Sequence, residues 1–334
     1  MRAKRLGNGA STAHAPQDLA THTCQVRTAR LAAPTQQYED VVSRFTFATP
    51  GRPLVVEVAA SDGDGAQEER ALIDALTVIL PEWRASAGGE AASIRVERRG
   101  GGFSLSYSGL PQGPVELEGI RAAAEALSGA LTSCFVQQDS RQLHIHAGAV
   151  ALASGVVLLY GPSLSGKSSL ALQSVRLGAA LAADDQIAVT VPVEGSPQAI
   201  TLGVTPRLRM PLPPQAGEDF AAFVSAHVLR AEGGVTQLRL ERPAEQLPFG
   251  THLPVRALVA LERRDAGAIE LSPLGAGAAL RGLFDCLDAP HLGAESLTRR
   301  LHKLVRRVPC YRLAFANSRQ AASLLLERFE RGKP

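Results

Sequence analysis

Aromatic side chains are scarce in this chain: Phe, Tyr and Trp make up 4% of its 334 residues, with a single tryptophan. The interior must therefore be assembled mostly from Leu, Val and Ala. Charge of one sign is equally lacking, since 35 Lys and Arg face 32 Asp and Glu for a net +3. That balance gives no argument for a nucleic-acid partner. The four cysteines, Cys24, Cys134, Cys286 and Cys310, are far apart and show no CxxC spacing. Neither a disulfide framework nor a zinc site is indicated, and reduced thiols fit a cytoplasmic protein. No apolar run approaches the ~20 residues of a membrane helix, and the basic start (Arg2, Lys4, Arg5) is followed by no apolar signal core. No NKxD-type guanine signature appears, which speaks against a GTPase. No internal repeat is visible.

What remains is ordinary for a soluble globular chain, 45% hydrophobic and 20% charged, and long enough for two domains. Residues 1–37 are rich in Ala, Thr, Gln and Arg without periodicity and read as a mobile leader. Residues 38–142 read as a small α+β domain. Strands are expected at Arg44–Ala48 and Leu54–Val58, then a turn at Asp62-Gly63-Asp64-Gly65. A helix carries Leu72, Leu76 and Ile79 on one face, a hairpin joins Ser93–Arg98 to Phe103–Tyr107, and a helix spans Gly119–Val136. Residues 143–334 read as an α/β domain. There Pro206–Pro214 is expected to be a loop, and Leu258–Leu261 and Ile269–Leu271 a strand pair flanking a turn. An amphipathic helix with a basic face (Arg299, Arg300, Lys303, Arg306, Arg307) precedes a strand at Tyr311–Ala316 and a closing helix.

The chain is organised around Gly161-Pro162-Ser163-Leu164-Ser165-Gly166-Lys167-Ser168, which fits the phosphate-loop pattern G-x-x-x-x-G-K-[ST] at every fixed position. The apolar run Val156–Tyr160 before it reads as a strand buried on both faces. Leu170, Leu172, Val175 and Leu177 after it recur at roughly helical spacing, with Gly178 placed as a C-cap. Such a loop turns successive backbone N–H groups toward phosphate oxygens at a helix N-terminus. Gly161, Ser163, Ser165, Gly166, Lys167, Ser168 and Ser169 are thus the expected ATP-binding residues. Lys167 would reach the outer phosphates, and the Ser168 hydroxyl would coordinate Mg²⁺.

A second apolar strand, Leu177–Ala183, is expected to end in Asp184-Asp185, at the carboxyl end where α/β sheets place ligands. One carboxylate there is suited to Mg²⁺, the other to accepting a proton from an attacking hydroxyl. His144 and His146, two apart on an expected strand, would share a face.

These residues resemble a known family. LHxxxVxL, a strand, GPSxxGKSxLAL and LGAxLxADD are similar to the catalytic domain of bacterial HPr kinase/phosphorylase, and more so to HPr-kinase-like serine kinases of peptide-modification gene clusters. Val308–Phe315 (VPCYRLAF) is similar to a C-terminal segment of these relatives. The resemblance implies a P-loop domain of the HPr-kinase and PEP-carboxykinase type over 143–334. It also implies Asp184 as general base toward an acceptor serine, Asp185 as support for the metal and phosphate site, and His146 close to that base. Gln186 stands where the family has arginine, and Gly203–Pro211 stands roughly where genuine HPr kinases carry their substrate-binding signature. The missing signature points away from HPr itself and from phosphorylase activity. The expected protein is an ATP- and Mg²⁺-dependent serine kinase acting on a peptide or small protein, with self-association left open. A non-catalytic ATP-binding regulatory module and a genuine HPr kinase/phosphorylase are the alternatives.

Overall fold

The computed structural model describes residues 41–60, 65–89, 91–99, 101–110 and 112–330. The expected leader over 1–37 and the aspartate–glycine turn at 62–64 lie outside them. Strands Val41–Phe47 (β1) and Leu54–Ala60 (β2) lead into helix Gly65–Ile79 (α1). Strands Ala85–Ala87 (β3), Ile94–Arg99 (β4), Gly102–Tyr107 (β5) and Val115–Leu117 (β6) precede helix Gly119–Gln137 (α2). The six strands form one sheet in the order β3-β1-β2-β4-β5-β6. Leu72, Leu76 and Ile79 of α1 and Ala124, Leu127 and Leu131 of α2 recur at helical spacing, and all are buried against this sheet's apolar face. The same core takes in Ile200, Leu202 and Val204 from the next layer.

That layer begins with strands Gln142–Ile145 (β7), Gly148–Leu152 (β8) and Gly155–Tyr160 (β9), helix Lys167–Arg176 (α3), and strands Ala180–Ala183 (β10) and Ile187–Thr190 (β11). It continues through strands Gln198–Thr201 (β12) and Arg207–Arg209 (β13), helix Glu218–Ala226 (α4), and strands Val228–Glu232 (β14) and Val235–Leu238 (β15). The long strand His252–Arg263 (β16) and strand Glu270–Pro273 (β17) follow, then helices Ala276–Phe284 (α5) and Ala294–Arg307 (α6). Strand Cys310–Phe315 (β18) and helix Ser318–Glu330 (α7) complete the described chain.

β16 is the spine of the nine-stranded sheet. Its start pairs antiparallel with β12, while its second half lies parallel between β9 and β18. Alternation along β9 explains its unbroken apolar run. Val157 and Leu159 enter a core shared with α3, α4 and α7, whereas Val156, Leu158 and Tyr160 enter one shared with α5 and α6. Each such fully buried side chain contributes about 1.5–3 kcal/mol, so both faces need apolar residues.

Three expectations are corrected. Pro206–Pro214 is not simply a loop, because Arg207–Arg209 pairs with Val235–Gln237 to make the edge of a small sheet, order β13-β15-β14. Three residues between prolines carry too little alternation to reveal a strand whose partner lies this far along the chain. β16 and β17 are not partners either, since β18 inserts between them, parallel to one and antiparallel to the other. The second apolar strand starts at Ala180, because Leu177 still caps α3 through hydrogen bonds to Gln173 and Ser174 carbonyls and Gly178 turns the chain at φ 105°. The described residues form a mixed α/β fold with seven α-helices, none long and apolar enough to cross a membrane.

Candidate functional site

The glycine loop joins β9 to α3 at the carboxyl ends of the parallel strands β9, β16 and β18. Gly166 closes it at φ 93°, and a Cβ there would meet the Phe315 ring at 3.3 Å. Gly161, at φ 152°, would meet the Leu261 carbonyl at 3.2 Å, so glycine is required at both ends. The exposed Leu164 between them also adopts a positive φ, 68°. α3 begins with no side-chain cap on its N-terminal N–H groups, which leaves them for an anion. The Lys167 ammonium folds back onto the Gly161 and Pro162 carbonyls at 2.8 and 3.1 Å. A phosphate would compete for these hydrogens.

A cleft of about 540 Å³ collects Ser163, Gly166, Lys167, Ser168, Ser169, Asp184, Asp185 and His146. Gly161 and Ser165 shape the loop from beneath rather than lining the cleft, and the buried Ser165 hydroxyl has no hydrogen-bond partner among the described residues.

Asp184 and Asp185 follow β10 but face different surroundings. Asp184 is 2% exposed and its Oδ2 accepts the Arg207 backbone N–H at 2.8 Å. Its Oδ1 is buried without a hydrogen bond of sound geometry, and the Ser168 hydroxyl faces the same carboxylate. Burial, helped by the charge of Asp185, pushes the Asp184 carboxyl above the ordinary aspartate range despite the Arg207 N–H bond and the nearby Ser168 hydroxyl. Asp185 turns away at φ 75°. Its Oδ1 meets His146 Nε2 at 3.0 Å and its Oδ2 the Arg207 guanidinium at 3.1 Å. Burial alone would raise it, but the His146 hydrogen bond and the charges of His146 and Arg207 outweigh that and hold it below the usual range.

The two histidines do not share a face. β7 ends at Ile145, and His144 is buried 3.4 Å from Asp288, while the half-exposed His146 belongs to the cleft. Arg207 and Arg209 also line the cleft, as does Arg263. Arg263 escaped the sequence reading because only the parallel pairing of β16 with β9 brings its strand end beside the loop. Glu125 of α2 escaped it too. It lies 3.8 Å from Arg207, more than eighty residues away in sequence, and no local pattern signals such a contact.

Among the described residues, no group of three or more His, Cys, Asp or Glu side chains is arranged to hold a metal by itself. A magnesium ion arriving with a nucleotide asks less of the protein, because phosphates and water fill most of its shell. The Ser168 hydroxyl and the unpartnered Asp184 oxygen fit that lesser demand. Asp185 would first have to release His146 or Arg207.

No family model matches this chain, and no curated protein matches it. Among solved structures it is similar to an HPr(Ser) kinase/phosphatase from Coxiella burnetii, at 13% identity, over 55% of this chain and 91% of that one, with a TM-score of 0.27. So distant a likeness carries nothing toward function, which rests on the cleft itself.

Proposed function

We propose that this chain is an ATP-dependent kinase that transfers the γ-phosphoryl group to a hydroxyl, of serine type, on a peptide or small protein. The observation that carries the reading is the single cleft in which the glycine loop, Lys167 and Ser168 face a buried aspartate with one free oxygen. Two neighbouring carboxyls whose environments push their proton affinities apart are the usual mark of an acid–base assignment. Asp184, raised, is the better proton acceptor of the two, and Asp185, lowered, fixes His146 and Arg207.

In this reading Asp184 accepts the hydroxyl proton as the acceptor oxygen bonds to the γ-phosphorus. The bond from that phosphorus to the β–γ bridging oxygen breaks, and ADP leaves. Lys167 exchanges its loop carbonyls for phosphate oxygens, and the N–H groups at the start of α3 hold the rest of the phosphate tail. Magnesium would be held by Ser168 and the phosphate oxygens and would neutralise phosphate charge, leaving the free Asp184 oxygen to the proton. Asp184→Asn should lower transfer from labelled ATP to acceptor peptides by about a thousandfold while ATP binding persists. Undiminished transfer in that variant would remove the base from the mechanism.

A further inference from the structure

The Arg207–Arg209 strand has one edge in use and one edge open. On the used side, Leu238 N–H donates to the Pro206 carbonyl and Met210 N–H to the Gly234 carbonyl. In the antiparallel register Arg207↔Gln237, Leu208↔Thr236, Arg209↔Val235, this places the Leu208 backbone groups toward β15. The backbone groups of Arg207 and Arg209 consequently point to the opposite edge. Arg207 N–H confirms the direction, since it donates outward to Asp184 at 2.8 Å. The remaining groups of that edge are the Arg207 carbonyl and the N–H and carbonyl of Arg209. None of the three has a hydrogen-bond partner among the described residues. Both arginines line the cleft that holds the glycine loop. Their charges differ in employment. The Arg207 guanidinium is paired with Asp185 and Glu125, whereas that of Arg209 has no ion pair among the described residues.

We infer that the acceptor of the proposed kinase binds as an extended peptide added to the open edge of Arg207–Arg209, with its hydroxyl residue opposite Arg207 and an acidic residue opposite Arg209. The inference rests on the kinase reading and names its substrate class. A strand laid on this edge takes the free Arg209 N–H and carbonyl and the Arg207 carbonyl, as in other recognition by strand addition. It cannot continue pairing at Arg207 N–H, because the Asp184 carboxylate occupies the place where the added strand's own carbonyl would sit. Pairing therefore stops beside the proposed base, and the peptide residue at that point delivers its side chain to Asp184. Residues on one face of a strand recur every second position, so the residue opposite Arg209 lies two positions from the acceptor. An unpaired arginine there selects Asp or Glu.

The test is a library of short peptides with one fixed serine, presented to the full chain with magnesium and labelled ATP. Phosphorylated peptides should be enriched about threefold to fivefold in Asp or Glu two positions from the serine, the range of an exposed ion pair. Arg209→Glu should reverse that preference toward Lys and Arg at the same position. N-methylation of the peptide amide that pairs with the Arg209 carbonyl should cut transfer about tenfold, while methylation of the neighbouring amide is tolerated. Absence of a preference at two positions, a preference unmoved in Arg209→Glu, or indifference to both methyl groups would overturn the strand mode and leave the kinase reading standing. Phosphorylation of no peptide while ATP still binds would overturn the peptide acceptor, and failure to bind ATP would remove the kinase reading beneath it.

Discussion

In the six-stranded layer, the buried Glu57 carboxylate and Trp83 indole are fully partnered. Glu57, 5% exposed, lies 2.9 Å from both Arg44 and Arg95, and its carboxyl is held low chiefly by the hydrogen bond from Arg44. The indole N–H of Trp83 donates to the Leu202 carbonyl at 2.9 Å, and its ring stacks on Phe249, 4.5 Å between centroids, with Phe135 edge-on. Around the glycine loop the opposite holds. Asp184 Oδ1 and Ser165 Oγ are buried without partners, and Leu164 and Asp185 are the non-glycine residues at positive φ among those described. Unsatisfied groups and strained backbone cost stability, and they persist where a ligand completes them. The first layer closes its polar groups off, and the second leaves a cleft with groups a ligand could complete.

The contrast can be broken most forcefully at Lys167. Lys167→Ala should reduce phosphoryl transfer by at least about a hundredfold and weaken ATP binding, as removal of a preorganised charge donor does. Its melting temperature should hardly fall, since the ammonium serves only loop carbonyls in the free protein. Nucleotide titration and a melting curve on one preparation check both halves. Trp83→Ala should do the reverse. It should cost about 3–5 kcal/mol of stability, the range for deleting a large buried aromatic, and leave transfer by the folded fraction near the parent's level. Denaturant unfolding followed by an assay well below the midpoint would show it, and a selective loss of transfer would make the first layer part of the site.

The loop at the centre of the candidate site was legible in the sequence, and the walls of its cleft were not. Gly161, Gly166, Lys167 and Ser168 were legible because phosphate binding demands fixed residue types at fixed spacing within one strand–turn–helix unit. The helices α1, α2 and α6 were legible from apolar periodicity, and the doubled aspartate from its place after a short apolar strand. What stayed hidden depends on pairing between distant segments. Arg263 joins the cleft only because β16 lies beside β9, and Glu125 only because α2 packs toward Arg207. The β16–β18–β17 order is not a local property at all, since the strand last in sequence fills the gap between two that a turn seemed to join. His144 and His146 were misjudged for a related reason. Period-two logic holds only while the strand lasts, and β7 stops between them.

The subtlest effect concerns the two aspartates without nucleotide. Asp184 has a folded-state proton affinity above the ordinary value of 3.8, because burial disfavours its charge. Its contribution to stability is greatest below 3.8 and is lost as pH rises through the raised value, so above that value the buried carboxylate destabilises the fold. Asp185 has the opposite sign. Held below 3.8 by His146 and Arg207 against its own burial, it stabilises the fold above that value and loses this as pH falls through the depressed one. Asp184→Asn should therefore melt higher than the parent near neutrality and Asp185→Asn lower. Both differences should shrink as the pH is taken below 3.8, where the parent's carboxyls take up protons in folded and unfolded chains alike. Melting curves of the three proteins across this range decide the matter. A shift of both variants in the same direction would mean that the two carboxyls share one environment, and the division of labour between base and anchor would then fall with it.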